Sequence, residues 1–482
     1  MINLTPVTSF VGILLIIVGL LMLTALPFSL SHPDGNWEAF VYSSAITIAV
    51  GALLWIARFQ KGNFVNKREG YLIVSLGWVS MIGFGSLPYL ISGAIPNFTD
   101  AIFETASGVT TTGASILTDI EALPKDILFW RSMTQWIGGL GIIVLTVAIF
   151  PLLGFGGIEL FAAESPGPTS DKIHPRIQET AKRLWFIYLG LTMALTALLW
   201  AFEMDFFDAI NHALTTMSTG GFSPQNESLA AYDIPRVQYT IILFMFLAGT
   251  NFTVLYLGFT GQFKKVAVND EFKFYFLFIA AFTLLITVLV IAHTDLGGEK
   301  AFRDSLFQVV SLMTTTGYVS ANYLEWGDSV VLLVVILLFL GASAGSTAGG
   351  IKIIRHLVFM KNSFLEFKRI LHPRAIVPLR LNGQVVRPQI LTHILVFLLI
   401  YLIVFIVGTL SLTLFDLDFE TSVGAVATSL GNVGPGIGKV GPVDNFAWLP
   451  GGVKWILSFL MLLGRLELFT ILVLFTPFFW RN

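Results

Sequence analysis

The chain lacks cysteine altogether, and only 12% of its 482 residues are charged. The absence of cysteine excludes disulfides, thiolate metal sites and cysteine catalysis. A formal net charge of −2 excludes the strongly basic surface that binds nucleic acid. Apolar residues make up 55% of the sequence, and the mean hydropathy is +0.80. This composition predicts an all-α polytopic membrane protein rather than several soluble domains.

Ten apolar runs are long enough to cross the hydrocarbon core as helices, which takes about twenty residues. The predicted spans are Phe10–Leu30, Ala39–Ile56, Leu72–Ile91, Phe129–Leu152, Leu184–Phe202, Tyr239–Phe259, Phe274–Ala292, Val330–Val358, Leu391–Leu414 and Val453–Phe479. With the amino terminus in the cytoplasm, most of the 28 lysines and arginines fall in cytoplasmic segments, as the positive-inside rule requires. Most carboxylates then face outward, where they concentrate cations.

A run of hydroxyl residues that ends in glycine, Val109–Ser115, recurs along the chain. Near-copies lie at residues 215–223, 313–320 and 430–436. The glycines predicted to be equivalent lie about 100 residues apart, which indicates a fourfold internal repeat; they are Gly113, Gly220, Gly317 and Gly434. The predicted organisation is a two-helix extension over residues 1–68, followed by pore repeats over 69–153, 154–263, 264–364 and 365–482. The second and fourth of these ranges begin with a cytoplasmic linker.

Each glycine loop has the residues that an ion path requires. Glycine reaches backbone dihedrals that a Cβ would penalise, so it lets carbonyl oxygens turn inward. Four such loops around one axis would form rings of oxygens that replace a cation's hydration shell. Short helices before the loops would point their negative ends at the ion; they are predicted at Asp100–Val109, Phe206–Thr216, Phe302–Thr314 and Phe419–Thr428. The alternative is a set of ordinary packing turns, and the fourfold recurrence favours the ion path.

One predicted span contains a segment that is a poor helix former. The segment comprises Gly341, Ala342, Ser343, Ala344, Gly345, Ser346, Thr347, Ala348, Gly349 and Gly350. Backbone that is not helical is tolerated at membrane depth only where protein or a water-filled cavity covers it. The segment is therefore predicted to lie in the conduction path just below the glycine ring, as the only deep break in the chain. The alternative is a small-residue stripe for helix packing.

Arg465 lies deep in the last predicted span. A deep arginine is costly and needs acceptors. The predicted partners are free backbone carbonyls of the broken helix, because such bonds would fasten the loop as a gate. The alternative is an ion pair with Glu467, although residues two apart lie on different faces of a helix.

Enzymatic activity is not predicted. Gly341–Gly345 matches the Gly-x-Ser-x-Gly nucleophile motif, but that motif needs a strand before the serine, and here the flanks are apolar helix. No His-Glu-x-x-His metal motif occurs in the sequence. His212, a few residues before the second loop, is interpreted as a hydrogen-bonding residue rather than a base.

The four glycine loops, the break in the third repeat and the deep arginine together resemble the Trk/Ktr/HKT superfamily of potassium transporters. The two additional amino-terminal spans make the chain similar to the TrkH branch. The resemblance implies a potassium-channel-like filter that binds the transported K⁺, and no organic cofactor. The filter residues that it implies are Thr111, Thr112, Gly113, Thr219, Gly220, Thr315, Thr316, Gly317, Asn432, Val433 and Gly434. The implied gate is Gly341–Gly350 together with Arg465.

The resemblance also implies partners and a location. Proteins of this branch are homodimers in the bacterial inner membrane, and each protomer has its own pore. They bind a cytosolic ring of nucleotide-binding regulatory subunits, called TrkA. The residues interpreted as docking surface for that ring are Lys361, Lys368, Arg369, Arg374 and Arg380. The alternative function is a proton- or sodium-coupled secondary carrier, whose expected signature is inverted or two-part repeats with paired broken helices.

Overall fold

The computed structural model describes residues 2–31, 33–56, 66–139, 141 and 177–481. Almost all secondary structure in this part of the chain is helical, and its strands are the short antiparallel pair Arg380–Leu381 and Gln384–Val385. The prediction of an all-α polytopic protein is confirmed. Six helices are long and apolar enough to cross a membrane, and two further pairs of helices qualify if each bent pair is one span.

The two remaining predicted spans have different outcomes. In Phe129–Leu152, residue 140 and residues 142–152 lie outside the described residues, as do residues 154–176 of the predicted second linker. In Val330–Val358, the structure has two helices separated by a non-helical segment, as the sequence predicts. The described part of the chain therefore contains a helix at every predicted span.

The amino-terminal extension is a helical hairpin. Its helices are Leu4–Met22, continued by Leu26–Leu30, and Trp37–Ile56. They approach most closely at Gly12 and Gly51, where a Cβ on either glycine would lie 2.6 Å from the other glycine's carbonyl oxygen. Small residues of this kind let two membrane helices pack backbone against backbone. The first helix also packs against the first helix of the first repeat.

Four repeats follow, each with a leading helix, a short pore helix, a loop and a following helix. The leading helices are Lys67–Gly85 continued by Leu87–Ser92, Ile177–Ala201, Asp270–His293 and Pro388–Thr413. The pore helices are Phe98–Val109, Phe206–Met217, Gly298–Met313 and Phe419–Gly431. The following helices begin with Lys125–Gly139, Pro235–Ala248, Asp328–Leu338 and Gly451–Arg465. Further helices lie at Phe252–Phe259, Phe263–Val268, Ile353–Leu371, Phe469–Leu472 and Pro477–Trp480.

The pore helices begin at residues that cap them. The side chain of Asn97 accepts hydrogen bonds from the amides of Thr99 and Asp100, and Asp205 accepts one from Phe207. Asp418 accepts one from the amide of Thr421, and hydrogen bonding by Thr421 lowers the pKa of the Asp418 carboxyl below its usual value. Such caps satisfy amide groups that the first helical turn leaves unpaired. These bonds fix where three of the four pore helices start.

Within the residues that the structure describes, the following helices of the second, third and fourth repeats break, and the prediction of a single deep break is wrong. In the second repeat, the chain bends by 110° between the helices Pro235–Ala248 and Phe252–Phe259. In the fourth, it bends by 108° between Gly451–Arg465 and Phe469–Phe475. Asn251 stands at the first of these bends and caps the second segment by accepting from the amide of Thr253. The apolar sequence on both sides hides such bends, because hydropathy does not depend on helix direction.

Two hydrophobic cores meet around the loops. One joins the extension to the first and fourth repeats, and the other joins the second and third repeats. Val433 and Ile437 of the fourth repeat pack in the core of the second and third repeats. The loops that follow the pore helices are therefore held between both cores.

Candidate ion-conduction site

The four loops share one backbone conformation. Each leaves its pore helix through a residue other than glycine in the left-handed region, and glycine follows two positions later with a positive φ. The first residues are Thr111, Thr219, Thr315 and Asn432, with φ of 54°, 54°, 55° and 53°. The glycines are Gly113, Gly221, Gly317 and Gly434, with φ of 85°, 77°, 77° and 103°.

This geometry corrects the predicted equivalence of Gly220 with Gly113. In every loop, the residue between the two left-handed positions donates its amide to the carbonyl five residues earlier. These bonds are Thr112 to Ser107 at 2.8 Å, Gly220 to Thr215 at 2.9 Å, Thr316 to Ser311 at 2.8 Å and Val433 to Thr428 at 3.0 Å. Gly220 therefore corresponds to Thr112, and Gly221 corresponds to Gly113.

The glycines and the neighbouring carbonyls form a closed ring. A Cβ on Gly113 would lie 2.3 Å from the carbonyl oxygen of Gly220, and one on Gly221 would lie 1.8 Å from that of Thr316. A Cβ on Gly317 would lie 1.8 Å from the carbonyl oxygen of Val433, and one on Gly434 would lie 2.8 Å from the carbonyl oxygen of Thr112. Each repeat thus touches the next, and the fourth returns to the first. No side chain fits at these glycines, because the adjacent backbone occupies its place.

Side chains behind the ring hold the loops together. Thr112 bonds with Thr110 at 2.8 Å, and Thr316 bonds with Thr314 at 2.7 Å, hydroxyl to hydroxyl. The side-chain Nδ2 of Asn432 donates to the Thr112 hydroxyl at 3.0 Å and to the carbonyl of Met461 at 2.8 Å. These bonds link the first and fourth loops directly.

A cavity of about 90 Å³ opens above the ring and is lined by all four glycines, Gly113, Gly221, Gly317 and Gly434. Arg131 and Asp444 also line it, so both signs of charge face the opening. The cavity gives an ion a route from solvent to the ring. The cavity lies on the side of the glycines that faces away from the pore helices. That is the position expected of an outer vestibule.

A buried ion pair that the sequence analysis did not predict stands beside this vestibule. The Nε of Arg131 lies 2.6 Å from the carboxylate of Glu104, and both side chains are buried. Glu104 also accepts from the Ser115 hydroxyl at 3.0 Å, and Arg131 donates to the Ser223 carbonyl at 2.9 Å. The guanidinium carbon is 3.6 Å from the ring centre of Phe222. The pair therefore fastens the first loop to the second.

The segment Gly341–Gly350 lies between the helices Asp328–Leu338 and Ile353–Leu371, and it is not helical. Its backbone bonds to neighbouring elements instead: the Ser343 amide donates to the Gly249 carbonyl at 3.0 Å, and the Ala344 amide to Glu271 at 2.7 Å. The Gly349 amide donates to the Thr315 hydroxyl at 2.7 Å. The segment therefore touches the third filter loop, on the side opposite the vestibule.

Arg465 donates to the Thr347 carbonyl at 2.7 Å and to the carbonyls of Gly138 and Gly139 at 2.6 Å each. The prediction that backbone carbonyls of the broken helix accept from this arginine is confirmed. Glu467 forms its ion pair with Arg355. Arg465 stands at the end of its helix, where the chain bends, and it ties the broken segment to Gly138 and Gly139 of the first repeat's following helix.

His212 is a hydrogen-bonding residue of the second pore helix, as predicted. Its Nδ1 is 2.8 Å from the Asp208 carbonyl, and its Nε2 is 3.0 Å from the Ser223 hydroxyl. Both ring nitrogens are thus engaged with the frame of the second loop.

Comparison with known proteins identifies the family. A model of the TrkH family, described as a cation transport protein, matches residues 37–482. The chain belongs to the TrkH family. The Trk system potassium uptake protein TrkH of Escherichia coli K12 is 39% identical to it over 485 residues, which is 99% of each chain. The corresponding TrkH of Halomonas elongata is 36% identical over 487 residues and is covered completely.

A solved structure of the TrkH family has the same fold. The crystal structure of the potassium transporter TrkH from Vibrio parahaemolyticus matches with a TM-score of 0.89 and 36% identity, over 100% of both chains. TrkH is a family of cation transporters and not of enzymes, which agrees with the sequence analysis.

Proposed function

We propose that this chain carries potassium ions into the cell through the ring of four loops. The observation that carries the proposal is the closed ring, in which each glycine of one repeat faces a carbonyl oxygen of the next. The names of the relatives as potassium uptake proteins support K⁺ as the transported ion. The chain is a multi-pass inner-membrane protein. Its amino terminus lies in the cytoplasm, because this orientation places most of its lysines and arginines in cytoplasmic segments.

The filter that we propose contains the three positions of each loop that lie between the pore helix and the vestibule. They are Thr111, Thr112 and Gly113; Thr219, Gly220 and Gly221; Thr315, Thr316 and Gly317; and Asn432, Val433 and Gly434. Their backbone oxygens replace water around the dehydrated ion. The carboxyl ends of four pore helices add negative potential at the same place. K⁺ is the cargo, and this chemistry requires no organic cofactor.

The broken segment of the third repeat is the gate in this proposal. Its position supports this role, because the Gly349 amide bonds to Thr315 and a Cβ on Gly349 would lie 2.7 Å from the Cβ of Asn432. The segment therefore stands directly under two of the four loops. Arg465 holds it there through Thr347, and opening requires that this bond and the Gly349 bond break.

The proposed assembly is a homodimer that binds a cytosolic ring of nucleotide-binding subunits. The naming of relatives as parts of a Trk system supports a complex of several components. On the cytoplasmic side, Lys368, Arg374 and Arg380 are exposed around the helix Ile353–Leu371 and the strand pair. Lys361 and Arg369 are half-buried and pair with Asp270 and Glu366. The three exposed side chains are the ones that a partner would contact first.

The test is cation flux into liposomes that contain the purified chain, with K⁺ and Na⁺ compared under a gradient of each ion alone. We expect a K⁺ gradient alone to drive flux, with K⁺ preferred over Na⁺. Gly113→Ser should abolish that preference, because φ at Gly113 is +85° and the Gly220 carbonyl occupies the place of a Cβ. The matched control is Gly190→Ser, where a Cβ meets nothing within 4 Å.

The coupled-carrier alternative predicts another result. Three bent or broken following helices are also typical of carriers, so helix breaks do not separate the two functions. A carrier would move K⁺ only when a proton or sodium gradient is added. Flux that requires such a gradient would therefore contradict the channel-like proposal.

A further inference from the structure

The second filter loop lacks a side chain where the other three loops have one. Thr112, Thr316 and Val433 occupy the middle position of their loops, and Gly220 occupies it in the second. The hydroxyls of Thr112 and Thr316 bond within their own loops, and all three side chains are buried. Gly220 is not in a conformation that requires glycine, since its φ is not positive. The absence of a side chain there needs another explanation.

Gln135, from the first repeat, fills that place. Its side chain is completely buried, and a Cβ on Gly220 would lie 2.3 Å from its Cδ. The Nε2 of Gln135 donates to the carbonyl oxygen of Gly220 at 2.7 Å. Its Oε1 accepts from the Phe222 amide at 3.0 Å. The carboxamide thus makes two bonds that bracket Gly221, the glycine of the second loop.

These bonds act on an oxygen that belongs to the ring. The Gly220 carbonyl is the one that faces Gly113. A carbonyl oxygen has two lone pairs, so one can accept from Gln135 while the other faces the ion. The hydrogen bond fixes the direction of the carbonyl and withdraws part of its charge, and both effects alter the field that discriminates between cations.

We infer that Gln135 is a specificity-determining positioning residue, which replaces the missing side chain of the second loop and sets the direction of the Gly220 carbonyl. This inference rests on the proposed function of the four loops as a potassium filter. An apolar side chain at position 135 would leave the Phe222 amide without its acceptor and the Gly220 carbonyl free to rotate. The ring would then lose its preference for K⁺ over Na⁺.

The experiment measures the ratio of K⁺ to Na⁺ flux in liposomes for the intact chain and for Gln135→Met, which keeps the length and removes both bonds. We expect the ratio to fall about tenfold, the change that corresponds to loss of the one hydrogen bond that acts on the Gly220 carbonyl of the ring. The matched control is Gln238→Met. That glutamine is also buried on a following helix, but its partners are Leu229 and Arg303, outside the filter loops. The control should keep the ratio of the intact chain.

A rescue variant separates positioning from general packing. Gly220→Thr alone drives a Cβ into Gln135 and should lower the ratio. Gly220→Thr combined with Gln135→Ala gives the second loop the threonine that the first and third loops have, in the space that the shorter side chain vacates. The double variant should therefore have a higher ratio than either Gly220→Thr or Gln135→Ala alone. A double variant that is no better than the singles would overturn the inference.

Gly221→Ala distinguishes failure of this inference from failure of the proposed function. If Gly221→Ala loses K⁺ flux while Gln135→Met keeps both the flux and its preference for K⁺, the loops are the filter and the role of Gln135 is overturned alone. If the intact chain itself does not prefer K⁺, both proposals are overturned. If Gln135→Met does not fold, the comparison of the double variant with Gly220→Thr decides, since both have a side chain in the middle position of the second loop.

Discussion

Threonine in the left-handed region is rare, because its branched Cβ crowds the backbone there. Thr111, Thr219 and Thr315 all adopt that conformation, with φ between 54° and 55°. Each such residue costs about 1–3 kcal/mol and persists only where its surroundings enforce it. Here the amide bonds back to the pore helices and the contacts with adjacent loops supply that constraint. Repeated strain at three equivalent positions indicates a functional requirement for this loop shape.

The register of the second loop can be tested with two neighbouring glycines. Gly221→Ala places a Cβ 1.8 Å from the Thr316 carbonyl at a φ of +77°, so we expect it to abolish K⁺ flux. In Gly220→Ala the Cβ meets only the end of the Gln135 side chain, which can move. We therefore expect Gly220→Ala to retain more flux than Gly221→Ala in the liposome assay. Higher flux in Gly221→Ala than in Gly220→Ala would instead support the equivalence of Gly220 with Gly113.

Removal of one partner from the buried Glu104–Arg131 pair should destabilise the fold strongly. Glu104→Gln leaves a buried guanidinium without its carboxylate, which costs about 3–5 kcal/mol. We expect a clear fall in the midpoint of thermal unfolding in detergent. The control is Glu203→Gln, which breaks an exposed pair with Arg236 and should cost at most about 1 kcal/mol. Equal falls in the unfolding midpoint of the two variants would contradict the conclusion that the Glu104–Arg131 pair fastens the fold.

At the scale of the element, the broken segment of the third repeat is held by neighbours from all four repeats. Arg465 comes from the fourth, and the carbonyls of Gly138 and Gly139 that share it come from the first. Gly249 lies at the bend of the second repeat, and Glu271 begins the leading helix of the third. The segment is therefore a loop whose position depends on a few identifiable bonds. Elements of this kind change position when one bond is lost.

Arg465→Gln removes the charge that fastens the segment. Charge-assisted hydrogen bonds contribute about 1.5–3 kcal/mol each, so the loss of one raises the population of the open state by about tenfold or more. We expect higher K⁺ flux in liposomes than for the intact chain. Arg374→Gln, at an exposed position after the helix Ile353–Leu371, should leave flux unchanged. Lower flux in Arg465→Gln would contradict a restraining role for this arginine.

At the scale of the whole molecule, the ring of the proposed filter forms only where the repeats meet. Ala114 of the first loop packs in the core of the extension with the first and fourth repeats, whereas Tyr318 of the third loop and Val433 of the fourth pack in the core of the second and third repeats. An ion that binds in the ring contacts all four repeats. Binding to the folded state alone therefore stabilises the complete assembly of repeats.

Potassium should accordingly raise the unfolding temperature of the purified chain in detergent. At a concentration 100 times the dissociation constant, the added stability is about 2.7 kcal/mol. We expect a smaller rise with Na⁺ at equal ionic strength, and no difference between the two cations for Gly221→Ala. Equal stabilisation of the intact chain by both cations would contradict selective binding in the ring.

The sequence predicted the helices, the recurring glycine loops, the broken segment and the partner of Arg465, because each depends on local composition or on the cost of burying one group. It placed the second loop one residue away from its true register, because Gly220 and Gly221 are indistinguishable without a partner. It missed the bends in the second and fourth repeats, since the apolar character continues through them. Gln135 was also missed, because a glutamine in a helix does not indicate which loop it contacts.

By itself, the sequence determined that this chain spans a membrane as helices and that four glycine loops recur in it. Hydropathy, helix capping and the conformational freedom of glycine act over a few residues, so they can be read locally. Only the tertiary structure decided that Gly221 faces the Thr316 carbonyl, that Gln135 stands in the place of a side chain at Gly220, and that Arg465 reaches Thr347. Those contacts join residues from different repeats, and they form only when the repeats pack around a common axis.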